Sequence, residues 1–184
     1  VIRRRFEREA QATAALGSPH TIRVFDYGAT DDGTFYYVME LLAGRDLERL
    51  QRLADELAAR GARPSVVRAD LRSDEGIRTL VASVEALGRI DVLFHGAGAL
   101  RLGDVMAGGW DDLDELYRVN VRAPYLLTKA LLPLLVASRG QIVFVNSSAA
   151  MKPGETNGVY AATKVALASL AGSIRDRVNP LGVR

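Results

Sequence analysis

The stretch Tyr160-Ala161-Ala162-Thr163-Lys164, with Ser147 thirteen residues before the tyrosine, holds the residues best suited to chemistry. On a helix, Tyr160 and Lys164 lie four apart on one face, so an ammonium can sit beside a phenol. A neighbouring cation favours phenolate and lowers a pKa that is otherwise about 10. Such a tyrosine trades a proton near neutral pH. Ser147 or Ser148, at the end of an apolar run, can hydrogen-bond the same substrate oxygen. The Tyr-x-x-x-Lys spacing is weak by itself, and its bland reading is a surface helix with an incidental pair. The elements around it must therefore decide.

Those elements alternate. Leu47, Leu50, Ala54, Leu57 and Ala58 share one helical stripe with Gly61 as the stop, and residues 65–69 read as a short strand. Ile77, Leu80, Val81, Val84 and Leu87 make a second amphipathic helix, capped by Ser73 and stopped by Gly88. Residues 90–94 form an almost unbroken apolar run, as expected of a strand buried on both faces of a parallel sheet. A long helix over residues 111–137 is expected to be irregular around Asn120, Ala123 and Pro124. A strand over 141–146 and a helix over 159–178, ending at Asn179-Pro180, complete the pattern. This is βαβ spacing, and it predicts an α/β fold with a parallel sheet. Earlier in the chain the signals differ. Residues 4–16 carry Phe6, Ala10 and Ala14 at helical spacing, while 21–27 and 34–39 are β-branched and aromatic runs joined by a Gly- and Asp-rich turn, which reads as an antiparallel hairpin.

Over roughly residues 46–184 the chain resembles the short-chain dehydrogenase/reductase family. The resemblance rests on Asp70-Leu71 after a strand, on His95-Gly96-Ala97-Gly98 after the next, and on Asn120 within Val119-Asn120-Val121. It rests further on the strand leading from Gly140 to Ser147, and on Tyr160 and Lys164. It implies that Tyr160 is the general acid/base, that Lys164 lowers its pKa and holds the nicotinamide ribose, and that Ser147 orients a carbonyl or alcohol. Ser147 is preferred to Ser148 for its spacing from Gly140 and Tyr160. Asn120 is implied to hold a water in the proton relay. Asp70, Leu71, His95, Gly96, Ala97 and Gly98 are implied to lie along the adenosine half of NAD or NADP. Where the family commonly has Asn-Asn-Ala-Gly, this chain has His95-Gly96-Ala97-Gly98, and His95 reads as a structural or cofactor-packing residue rather than a catalyst. The implied reaction is hydride transfer between the nicotinamide and the carbon of a small carbonyl or alcohol, and the resemblance also allows a homo-oligomer.

The family opens with a strand, a glycine-rich turn and a helix whose N-terminus takes the pyrophosphate. Gly17, Gly28, Gly33, Gly44 and Gly61 are too widely spaced to supply that turn. The expected fold is thus a partial Rossmann-like, doubly wound parallel sheet lacking its first two strands and its last. In the order 3-2-1-4-5-6, residues 65–69, 90–94 and 141–146 would be the third, fourth and fifth strands. Apolar runs such as Val92-Leu93-Phe94 would lack neighbours, which predicts marginal stability and aggregation.

Residues 4–50 resemble the N-lobe of bacterial serine/threonine protein kinases, from the αC helix to the hinge. The resemblance rests on Arg5-Phe6-Glu7-Arg8-Glu9-Ala10, with Glu9 as the αC acid, on the two hairpin strands, on Met39 at the gatekeeper position and on Glu40 at the hinge. Kinase chemistry also needs a glycine-rich loop, a strand lysine and two catalytic acids. The first lysine in the chain is Lys129, so an active kinase is excluded. The expected organisation is a kinase-lobe-like piece over 1–45 and a dehydrogenase-like piece over 46–184, meeting in Gly44-Arg45-Asp46-Leu47-Glu48-Arg49-Leu50. The alternatives to an oxidoreductase are an inactive chimera of the two and a non-catalytic kinase-like binding module.

Composition narrows the rest. The 184 residues are 48% hydrophobic, and 24 basic against 22 acidic residues leave a net charge of +2, so nothing points to nucleic acid or a membrane surface. With no Cys and two His, thiolate or histidine metal centres lack ligands. No apolar run approaches the roughly 20 residues of a spanning helix. No secretory signal is legible, and a cytoplasmic location is expected.

Overall fold

The structure is a computed structural model that describes residues 24–29, 35–39 and 47–184. The chain divides into two compact units, Val1–Val66 and Val67–Arg184. In the first, strand β1 (Val24–Ala29) pairs antiparallel with β2 (Phe35–Met39). The register shifts between Val24 and Asp26, an irregularity of the kind that increases strand twist. Helix α1 (Leu47–Ala59) follows its predicted stripe and stops before Gly61, whose φ of 90° is left-handed. The expected helix over 4–16 with Glu9, the turn around Asp31 and Asp32, and the hinge residue Glu40 lie outside the described residues.

The second unit begins with a turn that fixes helix α2 (Asp74–Glu85). Ser73 is the expected N-cap: its Oγ accepts from the Gly76 N–H at 3.0 Å and donates to Asp70 O at 3.1 Å. Asp74 and Glu75 place negative charge at the positive end of the helix dipole. The first turn then packs directly on the backbone of Asp70, and a Cβ on Gly76 would lie 2.1 Å from Asp70 O and 2.6 Å from Asp70 N. Backbone cannot rotate away as a side chain can. Gly76→Ala is therefore expected to destabilise the unit by about 3 kcal/mol or more in urea unfolding, and a change below about 1 kcal/mol would show that this approach is not tight.

Strands β3 (Val92–His95) and β4 (Gln141–Phe144) pair in parallel, Val92 opposite Gln141 through His95 opposite Phe144. The Arg184 N–H donates to Gly140 O at 3.0 Å, and the Ile142 N–H donates to Arg184 O at 2.7 Å, so Arg184 lies along the other edge of β4. The expected strand over residues 65–69 is not formed; this stretch is irregular. A β-strand exists only through a ladder, and no described residue pairs with this one, so β-branched Val66 and Val67 cannot make a strand by composition alone. Among the described residues the parallel sheet therefore has two strands rather than the three expected.

Helix α3 (Trp110–Tyr117), a π-helical turn (Arg118–Arg122) and helix α4 (Ala123–Ser138) run on as one element. The irregularity falls where the sequence places it, because Pro124 has no N–H to give to Asn120 O, its i−4 acceptor. By length and composition alone Asp111–Ser138 could cross a bilayer, which the run-length expectation did not foresee. In this fold part of its apolar face is used for packing: Leu116, Leu127, Leu131 and Leu135 are buried, while Leu113, Tyr117 and Tyr125 are exposed. The core joins Leu131 and Leu135 to Ile90, Val178 and Val183, with Leu93, Ile142 and Ile174 packed against them. Helix α5 (Gly158–Val178) closes the unit and tightens into a 3-10 turn, Asn179–Leu181, where Asn179-Pro180 predicts its end.

Candidate functional site

Three segments converge beside α5: the loop after β3, the π turn, and the end of β4. Asn120 is fully buried and is held on three sides. Its Oδ1 accepts from the Ala99 N–H at 2.7 Å, and its Nδ2 donates to Ala99 O at 2.9 Å and to Thr163 Oγ1 at 2.9 Å. Both amide protons are thus engaged in fixing the loop over 96–99 to α5. Gly98 in that loop lies close to both neighbours, since a Cβ there would come 3.6 Å from Asn120 Oδ1 and 3.7 Å from Lys164 Nζ.

Lys164 is only 4% exposed. Its Nζ donates to Val145 O at 3.0 Å, just past β4, and stands 5.8 Å from the centroid of the Tyr160 ring. A buried ammonium needs such partners, and one within about 6 Å of an aromatic face gains a cation–π attraction. Tyr160 itself is half-buried. Ser147 caps the 3-10 turn Ser148–Ala150, its Oγ accepting from the Ala149 N–H at 3.2 Å, which leaves the hydroxyl proton for another acceptor. Ser147 is half-buried while Ser148 is exposed. Helix α5, the π turn and the end of β4 therefore bring Tyr160, Lys164 and Asn120 together, with Ser147 at the start of the turn that follows β4.

The remaining predicted positions divide. Asp70 is exposed, and the Arg72 guanidinium forks onto it, Nε to Oδ1 at 2.9 Å and Nη2 to Oδ2 at 2.8 Å, with the Arg72 N–H adding a third bond. The Arg72 hydrogen bonds hold its carboxyl below the usual carboxylate value. Leu71 next to it is buried. Gly96, Ala97 and Gly98 are half-buried. The His95 ring points into the fold instead, stacked on Phe144 at 4.9 Å and sharing a 2.8 Å hydrogen bond with Thr128 Oγ1.

Burial pushes the His95 pKa down to about 4. The unfolded chain, with an ordinary value of 6.5, then binds more protons than the folded one between these pH values, so stability is full above 6.5 and falls as the pH drops toward 4. The expected loss across that window is about 3 kcal/mol. Urea midpoints at pH 7 and pH 4 measure it, about 2 kcal/mol of the loss falling between pH 7 and pH 5, and in His95→Gln the fall should be much smaller. An equal fall in the variant would assign the acid sensitivity to other groups.

A cavity of about 780 Å³ lies next to the start of α5, between residues 101–116 and 156–159, but neither Tyr160 nor Ser147 lines it. The site is accordingly defined by its side chains. A lysine ammonium, a phenol and a serine hydroxyl make a donor set suited to sugar hydroxyls and a carbonyl oxygen, and the backbone at Gly98 lies against the lysine. These residues fit the nicotinamide–ribose end of a dinucleotide. The starts of α2 and α3 carry Asp74, Glu75, Asp111 and Asp112 in their first turns, which does not suit a pyrophosphate.

Thr163 and Thr128 carry hydrogen bonds that residue spacing did not single out. Thr163 was visible only as the neighbour of Lys164, and nothing in the sequence links Thr128 to His95.

Comparison with known proteins gives a consistent result. The chain is 36% identical over 140 residues to the oxidoreductase UcpA of Escherichia coli K12, covering 73% of this chain and 52% of that protein. It is 32% identical over 144 residues to an uncharacterized NAD-dependent oxidoreductase of Mycobacterium tuberculosis, covering 74% and 51%. It thus spans about half the length of the curated relatives it matches. Among solved structures, a metagenomic short-chain oxidoreductase in complex with NADP superposes with a TM-score of 0.72 at 31% identity, covering 77% of this chain and 64% of that one. L-sorbose reductase from Gluconobacter frateurii, complexed with NADPH and L-sorbose, gives 0.72 at 26%, covering 76% and 54%. The sequence model of the short chain dehydrogenase family matches residues 38–184, four-fifths of the chain and all of the site above, and the chain belongs to that family.

Proposed function

We propose that the chain carries the catalytic half of an NAD(P)-dependent oxidoreductase acting on a small carbonyl or alcohol. The observation that carries this reading is the buried Lys164 ammonium, tied to Val145 O and standing over the Tyr160 ring. The cofactor, when bound, supplies the hydride. Tyr160 Oη gives its proton to the substrate oxygen in reduction and takes one back in oxidation. Lys164 stabilises negative charge developing on the phenol and bonds the ribose hydroxyls. The Ser147 hydroxyl orients the same substrate oxygen. With its carboxamide engaged, Asn120 serves by holding the loop over 96–99 in register with α5, and its implied relay water would have to be held elsewhere on the residue. The loop from His95 to Gly98, with Asp70 and Leu71, lines the adenosine side. Homo-oligomerisation and a cytoplasmic location belong to the same reading.

For residues 1–45 the kinase-lobe resemblance rests on the sequence alone and is a non-catalytic one, since the antiparallel pairing of β1 and β2 is a hairpin common to many folds. Sequencing a single continuous gene across codons 40–55 distinguishes a natural fusion from two joined sequences.

The oxidoreductase reading is tested by titrating the full chain with NADH and NADPH, followed by fluorescence, and by carbonyl-dependent loss of NAD(P)H absorbance across aldehydes and ketones. Cofactor binding with carbonyl turnover is expected. Absence of both overturns the reading.

A further inference from the structure

We propose that Thr163 is a positioning residue for this site, its hydroxyl holding the Asn120 carboxamide, and through it the loop over 96–99, in register with the helical turn that carries Tyr160 and Lys164. The inference rests on the oxidoreductase reading and goes beyond it, because Thr163 touches neither substrate nor the proton in flight.

Thr163 is only 1% exposed. Its Oγ1 donates to Tyr160 O at 2.7 Å, an ordinary bond for a helical threonine, which often satisfies itself on a carbonyl one turn back. The second bond is not ordinary. The same oxygen accepts from Asn120 Nδ2 at 2.9 Å, across 43 residues of sequence. A carbonyl can only accept, so the single hydroxyl proton goes to Tyr160 O, and Thr163 Oγ1 must face a donor. That fixes Nδ2 toward α5 and Oδ1 toward the Ala99 N–H. One direction therefore runs through the whole chain of bonds, from Ala99 N–H to Asn120, and from Asn120 through Thr163 to Tyr160. Adjacent Lys164 is tied separately to Val145 O. A single turn of α5 is thus anchored to the loop after β3 through Thr163 and to the end of β4 through Lys164. The two anchors set where the phenol stands relative to the loop that faces the cofactor.

A valine keeps the shape of threonine and removes only the hydroxyl, and serine keeps the hydroxyl. For Thr163→Val, kcat per folded molecule in NAD(P)H-dependent carbonyl reduction is expected to fall about 10- to 100-fold, in line with the cost of small misplacements at a reacting centre. The KM for NAD(P)H should stay within about twofold, and Thr163→Ser should recover kcat to within about threefold. A purely structural role would lower the folded fraction and leave kcat per folded molecule unchanged. Amide hydrogen exchange gives a readout independent of turnover. In Thr163→Val the Ala99 amide should exchange at least about tenfold faster, with the amides of α2 changed far less. Unchanged kcat and unchanged Ala99 exchange, or a serine variant as impaired as valine, would overturn the proposal. Should valine fail to fold, Thr163→Ala is read the same way; if both fail while serine folds, the hydroxyl serves the fold and the positioning role is wrong. A wild-type chain without cofactor or carbonyl activity overturns the oxidoreductase reading, while Ala99 exchange still decides whether Thr163 holds the loop.

Discussion

Tyr160→Phe is expected to lower kcat for carbonyl reduction by roughly 10²- to 10⁴-fold, the usual range for losing a positioned general acid, with the NAD(P)H dissociation constant within about twofold of the wild type. The variant isolates the hydroxyl. A phenylalanine ring fills the same half-buried space and keeps the aromatic face that Lys164 Nζ approaches at 5.8 Å, so neither packing nor the ammonium loses its partner. Lys164 remains bonded to Val145 O, and the junction of α5 with the end of β4 should be unchanged. The proton that Tyr160 would deliver has no substitute on the same face. Ser147 is the nearest other hydroxyl in role, and its proton is free because its Oγ accepts from the Ala149 N–H, but an aliphatic hydroxyl is a far weaker acid than a phenol. Single-turnover reduction with saturating NAD(P)H measures the effect. Retention of more than about a tenth of the wild-type rate would remove Tyr160 from the proton transfer and leave Lys164 and Ser147 to be reassigned.

Asn120→Ala has the largest expected effect on stability, a loss of about 3 to 5 kcal/mol. The carboxamide makes three hydrogen bonds in a fully buried setting. Truncation removes all three and strands the Ala99 N–H, Ala99 O and a lone pair of Thr163, each away from water. A buried polar group without a partner costs about 1–3 kcal/mol, more than the bond was worth net. Against typical domain stabilities of about 5–15 kcal/mol this is a large share. Asn120→Asp keeps the volume but replaces the two donors by an acceptor, turning an oxygen toward Ala99 O, and is expected to be at least as harmful at neutral pH as alanine. Urea unfolding followed by circular dichroism checks both. A loss under about 1 kcal/mol for Asn120→Ala would mean that water or a shift of the π turn replaces the amide.

How much of this was legible in the sequence differs between kinds of element. Helices α1 and α2 follow their apolar stripes closely because helical hydrogen bonds close within four residues, and the Ser73 cap is equally local. The break in the long helix was legible for the same reason, since Pro124 removes a donor whose acceptor is four residues away. Residues 65–69 show the opposite case. Their β-branched pattern is a strand's pattern, but a strand needs a neighbour, and the neighbour is not written in those five residues. The 111–138 helix shows a third case, where apolar composition reads as one long hydrophobic element and only its packing reveals which side each leucine serves.

The sequence by itself determined the local frame of this protein: which segments are helical, where they start and stop, and that Tyr160 and Lys164 share a helical face four residues apart. Its family motifs named Ser147 and Asn120 as their companions. Only the tertiary structure decided what these residues touch. It spends the Asn120 carboxamide on Ala99 and Thr163, turns the His95 ring onto Thr128 and Phe144, and buries the Lys164 ammonium against Val145 O. Those contacts span 19 to 49 residues of chain. A pattern read along the sequence reports bonds that close within a turn or a strand, whereas contacts at such separations exist only once the core has brought β3, β4, the π turn and α5 together.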